Sequence, residues 1–210
     1  MTDILKVPGI EKLTASERTA LIAAANKLGI NPDWLATVIS FETAGTFSPS
    51  IVNRAGSGAF GLIQFMPNTA RNILGTSTAD EAVRIGKAMS FGEQLTRMVI
   101  PYFSGRKMSS LEDVYLAVFY PAAMNKPGSY IIGATPGAVY TQNAGFDKSG
   151  KGFITRDDVT SRLRSLYESA GGRIPVQTTV VAQAVFGFAV AAGLIWTFAR
   201  KQLNTIVPLP

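Results

Sequence analysis

Apolar residues in the first half of the chain recur at helical spacing, with polar residues punctuating the runs. Ser16 opens one segment, with Glu17 just inside it. Leu21, Ile22, Ala25 and Leu28 follow on one face, and Gly29 is a stop. Asn31-Pro32-Asp33 then reads as a helix start: a cap, a residue with a helix-ready φ, and an acid at the positive helix end. That second helix carries Trp34, Leu35, Val38 and Ile39 and ends near Glu42. Residues 47–60 are polar and glycine-rich, so they predict an ordered loop. Further helices are expected from Pro67, over 80–89, over 91–103 with Pro101 near the end, and from Ser110 to Phe119-Tyr120, where Pro121 stops the run. Residues 125–137 read as loop. A last helix spans about 155–169, with Thr155 and Asp158 spaced as a capping pair. There are no internal repeats and no clear strand alternation, so the fold class is mainly α.

The pattern changes after Gly171-Gly172-Arg173-Ile174-Pro175. Residues 180–199 are almost wholly apolar, with Gln183 and Thr197 the most polar members. As a helix this stretch spans about 30 Å, the thickness of a bilayer core. Trp196, Arg200 and Lys201 suit its interfacial end. The expected organisation is a helical domain over 1–170, a hinge over 171–179, a single transmembrane helix over 180–199 and a short tail over 200–210.

Composition narrows the chemistry. The 210 residues contain no cysteine and no histidine, which excludes thiolate, Ser-His-Asp and His-zinc chemistry. Acid–base work falls to Asp, Glu, Lys or Tyr. The formal net charge of +6 favours anionic partners, but the cations are scattered and form no basic run, so nucleic acid is not an expected partner. The N-terminus shows no apolar signal region.

Glu42, in the string Val38-Ile39-Ser40-Phe41-Glu42-Thr43, lies at the end of an apolar helix. Partial burial there favours the protonated acid, which can donate a proton to a leaving oxygen. Beyond it comes Asn53-Arg54-Ala55-Gly56-Ser57-Gly58-Ala59-Phe60-Gly61-Leu62-Ile63-Gln64-Phe65-Met66-Pro67. Its glycines allow backbone to approach a ligand closely, Gln64 both donates and accepts, and Phe65 and Met66 offer an apolar wall for a sugar.

These strings resemble the lytic transglycosylases of the Slt type, whose fold is lysozyme-like and helical. The family's catalytic Glu-Ser corresponds to Glu42-Thr43. Its central block corresponds to Gly58-Ala59-Phe60-Gly61-Leu62-Ile63-Gln64-Phe65-Met66-Pro67-Asn68-Thr69-Ala70, and a third, degenerate block to Val118-Phe119-Tyr120-Pro121-Ala122-Ala123. Residues 115–155, including Tyr120-Pro121-Ala122-Ala123 and Asn143-Ala144-Gly145-Phe146-Asp147, are similar to bacteriophage-encoded members.

The resemblance implies Glu42 as sole catalytic acid/base. Substrate contacts would come from Gln64, Tyr120, Phe65, Met66, Thr43, Ser57 and Asn53, with no cofactor and no metal. Such an enzyme cleaves the glycan of peptidoglycan between N-acetylmuramic acid and N-acetylglucosamine and leaves an anhydro-muramic end. It needs one carboxylate, unlike most glycosidases, which use two. Ala55 stands where the family has Ser, and this keeps an alternative open: a non-catalytic peptidoglycan-binding or structural virion protein.

Residues 147–158 resemble an EF-hand loop with Asp147 first and Gly152 sixth. Lys151 stands where an oxygen ligand is expected, however, and Asp158 replaces the last Glu. A tight loop capping the next helix is the plainer reading. The apolar span and the lack of a signal region together suggest a membrane-anchored protein of a phage virion, acting in the host periplasm. Lipid membrane and other virion proteins would then be further partners.

Overall fold

A computed structural model of the protein describes residues 4–53 and 56–174. The apolar span at 180–199 and the Ala55 position lie outside the described residues. Among the described residues, no helix is long and apolar enough to cross a membrane.

The chain is mainly helical. α1 (Ala15–Leu28) starts two residues earlier than a Ser16 cap would place it, because the cap is Thr14. The Thr14 hydroxyl accepts the Glu17 amide while the Glu17 carboxylate accepts the Thr14 amide, so two otherwise orphaned donors are satisfied reciprocally. α2 (Pro32–Glu42) is capped by Asn31 and carries Pro32 in its first turn, as expected. α3 (Pro67–Leu74) and α4 (Ala79–Ala88) pack as a hairpin.

The predicted 91–103 helix is helical throughout but not uniform. α5 (Phe91–Gln94) widens into a π turn at Leu95–Val99 before α6 (Ile100–Phe103). Pro101 has no amide to donate, and its ring crowds the carbonyl four residues back. The Ile100 amide bonds to Leu95, five residues back, so the ladder slips just ahead of the proline.

α7 (Leu111–Phe119) is buried along its whole length, including Glu112 and Asp113. α2 is nearly as enclosed, and the two pack together with α9 (Arg156–Ser169) at the centre of the molecule. The Thr155–Asp158 capping box forms as expected.

The 125–137 region is not all loop. β1 (Ile131–Ala134) pairs antiparallel with β2 (Phe153–Thr155). A bulge between Ile131 and Gly133 breaks the register, and so short an irregular strand carries no two-residue period. α8 (Ala138–Asn143) packs over this ribbon, where a Cβ at Gly133 would press on the Tyr140 amide.

Two arginines outside α7 satisfy its buried acids. Arg156 Nη2 lies 3.0 Å from Asp113 Oδ1, and Arg164 Nε lies 2.6 Å from Glu112 Oε1. Of the predicted hinge, Gly171 and Gly172 close α9. The Gly172 amide bonds back to the Tyr167 carbonyl, and a Cβ at Gly172 would collide with the Tyr167 ring.

Candidate active site

Glu42 is the last residue of α2 and is only 7% exposed. The Phe41 ring beside it meets Tyr115 of α7 edge-on at 5.4 Å. Tyr115 stacks on Phe119 at 5.7 Å, and Phe119 meets Phe146 at 5.6 Å. This aromatic row ties the end of α2 to α7 and then to the segment that follows α8.

The turn after Glu42 is conformationally costly. Ala44 (φ 49°), Gly45 (φ 71°) and Phe47 (φ 52°) all occupy the left-handed region. For Ala44 and Phe47 this costs on the order of 1–3 kcal/mol each. Opposing contacts hold it. The Thr43 hydroxyl donates to the Ile39 carbonyl at 2.7 Å and accepts the Phe47 amide at 3.0 Å, while the Phe47 side chain is buried against Phe91. Thr43 is fully buried, so its hydroxyl fastens this turn and offers no surface to a sugar.

The glycine-rich loop folds on itself. The Asn53 amide bonds to the Ala59 carbonyl, Gly61 to Ile51, and Phe60 and Phe65 exchange both backbone bonds at 3.1 and 2.7 Å. Gln64 sits at the tip of the last turn with φ 54°, and its side-chain amide donates to the Gly61 carbonyl. It is 3% exposed.

Gln94 holds this turn from below. Its Oε1 accepts the Leu62 amide at 2.7 Å, and its Nε2 donates to the Pro49 and Gly86 carbonyls at 3.0 and 2.8 Å. A Cβ at Gly61 would overlap the Gln94 amide, so glycine is required there by packing as well as by φ.

The remaining expected contact residues divide. Asn53, Ser57, Met66 and Tyr120 are half-buried on the loop, at the start of α3 and at the end of α7. Ser57 Oγ accepts the Ala59 amide at 3.3 Å. Phe65 does not line a groove. It is 2% exposed and packs between Phe60 and Tyr102, which makes it a core residue. Burial, and then neighbouring Tyr130, push the Tyr120 hydroxyl above its ordinary range, so it stays a neutral donor. The Tyr102 hydroxyl donates to the Ala117 carbonyl of α7. α7 therefore backs both the loop, through Phe65 and Tyr102, and Glu42, through Phe41 and Tyr115.

Residues 19–119 match the family model for the transglycosylase SLT domain. The match supports the lytic transglycosylase family for this segment, a little under half of the chain. It runs from within α1 to the end of α7, and so contains Glu42, the glycine-rich loop and Gln94. Neither a curated protein nor a solved structure gives a significant match to the chain.

The EF-hand-like loop lies outside the SLT match, and its own chain occupies its carboxylates. Asp147 accepts the Lys151 and Gly152 amides and the Tyr140 hydroxyl. Asp158 accepts the Thr155 amide and hydroxyl and the Lys151 ammonium. Among the described residues, no group of three acids is arranged to hold a metal ion. Gln94, Tyr115 and the Lys12 contact described below were not singled out in the sequence. Each sits in an ordinary-looking string, and each meets residues far from it in the chain: Gln94 meets Leu62, Tyr115 meets Phe41 and Lys12 meets Gly45.

Proposed function

We propose that the protein is a peptidoglycan lytic transglycosylase with Glu42 as its single acid/base. The enclosed Glu42 at the end of α2, within the SLT-matched segment, carries this reading. A carboxylic acid in such a place can protonate the oxygen between N-acetylmuramic acid and N-acetylglucosamine. That C–O bond breaks as the muramic C6 hydroxyl attacks the anomeric carbon. Glu42 recovers a proton from that hydroxyl, and the product is a 1,6-anhydro-muramic end. No water and no second carboxylate enter the balance. Gln64 and Tyr120 stand as the groups that orient the glycan, with Asn53, Ser57 and Met66 at the rim.

The reading extends to a local opening of the cell wall during phage infection, supported by the phage-like string over 115–155. Residues 180–199 would anchor the protein to a membrane.

Full-length protein, wild type and Glu42→Gln, incubated with purified peptidoglycan and followed by mass spectrometry of released muropeptides, tests the reaction. Anhydro-muramic products from wild type, reduced about 1,000-fold in Glu42→Gln, support it. Reducing-end products would identify a hydrolase. Binding without release by either protein would identify a wall-docking protein.

A further inference from the structure

We propose that residues 5–12 form a strap that holds the turn behind Glu42, with Lys12 as a positioning residue for the Glu42 carboxyl. The proposal rests on the reading of Glu42 as the proton donor.

The strap is fastened to α2 along the helix's whole length. At the helix start, the Leu5 amide donates to Asp33 Oδ1 at 2.9 Å. Near its end, Ser40 Oγ donates to the Pro8 carbonyl at 2.7 Å. Beyond it, Lys12 Nζ donates to the Gly45 carbonyl at 2.6 Å. Backbone lies directly on backbone at the last of these places. Gly9 has φ 87°, and a Cβ there would overlap the Gly45 carbonyl, while a Cβ at Gly45 would meet the Pro8 carbonyl at 3.1 Å. Val7, Ile10 and Leu13 are buried beneath, so the strap is itself anchored in the core.

The contacts converge on the segment that most needs holding. Left-handed Ala44 and Phe47 persist only where the surroundings over-determine them. The Thr43 hydroxyl and the Phe47 ring grip that turn from inside, and the strap grips it from outside. The Lys12 ammonium also brings positive charge to the negative end of α2. If the strap loosens, the turn can relax toward extended backbone, and Glu42, the residue that enters the turn, loses its fixed direction. Residues 5–12 lie outside the SLT match, so this support comes to the matched block from beyond its border.

The test uses the full-length chain as wild type, Lys12→Met, Lys12→Arg and Gly9→Ala. It measures kcat and KM for muropeptide release, together with hydrogen exchange at the amides of residues 43–47. All five amides are bonded within the turn or back to α2, so their exchange reports its closure. We expect Lys12→Met and Gly9→Ala to lower kcat about 10-fold with KM within about twofold, since small misplacement of a reacting group costs rate. The 43–47 amides should exchange about 10-fold faster, α7 amides should keep their protection, and Lys12→Arg should restore most of both signals. Unchanged exchange in Lys12→Met overturns the proposal, as does a raised KM with kcat retained, which would make Lys12 a substrate contact. If Gly9→Ala does not fold, the two Lys12 variants decide. If wild type itself releases nothing, the reading of Glu42 fails, and the exchange data alone decide whether the strap holds the turn.

Discussion

Residues 19–119 supply Glu42, the glycine-rich loop and α7, whereas the flanking residues 4–13 and 128–174 supply none of the motif and yet complete its setting. Within the matched block, Thr43 and Gln64 hold backbone three or four residues away, while Gln94 alone reaches 32 residues back to the Leu62 amide of the loop above it. In the flanks, polar side chains reach far along the chain. Arg156 reaches Asp113, Arg164 reaches Glu112, and Lys12 reaches Gly45. The motif residues thus lie close together in sequence, while the frame around them, from Gln94 to Lys12 and Arg156, joins distant parts of the chain.

The largest effect expected from breaking this division is at Arg156. Asp113 is buried, and Arg156→Met leaves its carboxylate without its cation, which costs on the order of 3 kcal/mol. In a chain of this size that lowers Tm by roughly 6–12 °C, measurable by calorimetry. An unchanged Tm would show that the matched block stands without its flank. Inside the block, Gln94→Leu removes the acceptor of the Leu62 amide and a donor to the Pro49 and Gly86 carbonyls. We expect a loss of about 2 kcal/mol in denaturant unfolding and a parallel fall in muropeptide release, because the Gln64 turn loses its floor.

Acid provides a milder test. Burial alone would raise Asp113, but the Asn125 amide, the Ser109 hydroxyl and Arg156 bring it below its ordinary range. A carboxyl depressed in the folded state contributes stability above its unfolded value of about 4, and that stability is lost as pH falls through the lower folded value. Wild type should therefore lose stability below about pH 4, and Arg156→Met should show a shallower dependence there. The smallest effect belongs to the EF-hand-like loop. Lys151→Ala removes a partly exposed pair with Asp158 and should change stability by no more than about 1 kcal/mol. Added calcium should not shift the Tm of wild type. A calcium-dependent rise in Lys151→Ala alone would show that the ammonium displaces a cation.

Helix positions and most caps were legible because they depend on neighbours in sequence: Asn31 before Pro32, Thr155 before Asp158, Gly29 after Leu28. The cap of α1 is Thr14 and not Ser16, and the sequence signal that separates them is the capping-box spacing from Thr14 to Glu17, which Ser16 lacks. The β1–β2 ribbon was not legible, since its pairing joins residues about twenty apart through a bulge. Phe65 looked like a sugar platform because an aromatic beside Gln64 serves a cleft or a core equally well in sequence. Its contacts with Phe60 and Tyr102 decide for the core. Glu42 stood out through its motif, but the strained turn behind it leaves no mark on residue types such as Ala44 and Phe47.

The Arg156–Asp113 pair also bears on how such a protein can be rearranged by recombination. A segment cut at the borders of recognisable similarity would carry Asp113 away from its arginine and α2 away from the strap. It would arrive in a new host chain with a buried charge to neutralise and a helix end to refasten. The heritable unit is therefore wider than the recognisable one, and any exchange that keeps function must move residues 5–170 together or re-invent both clamps.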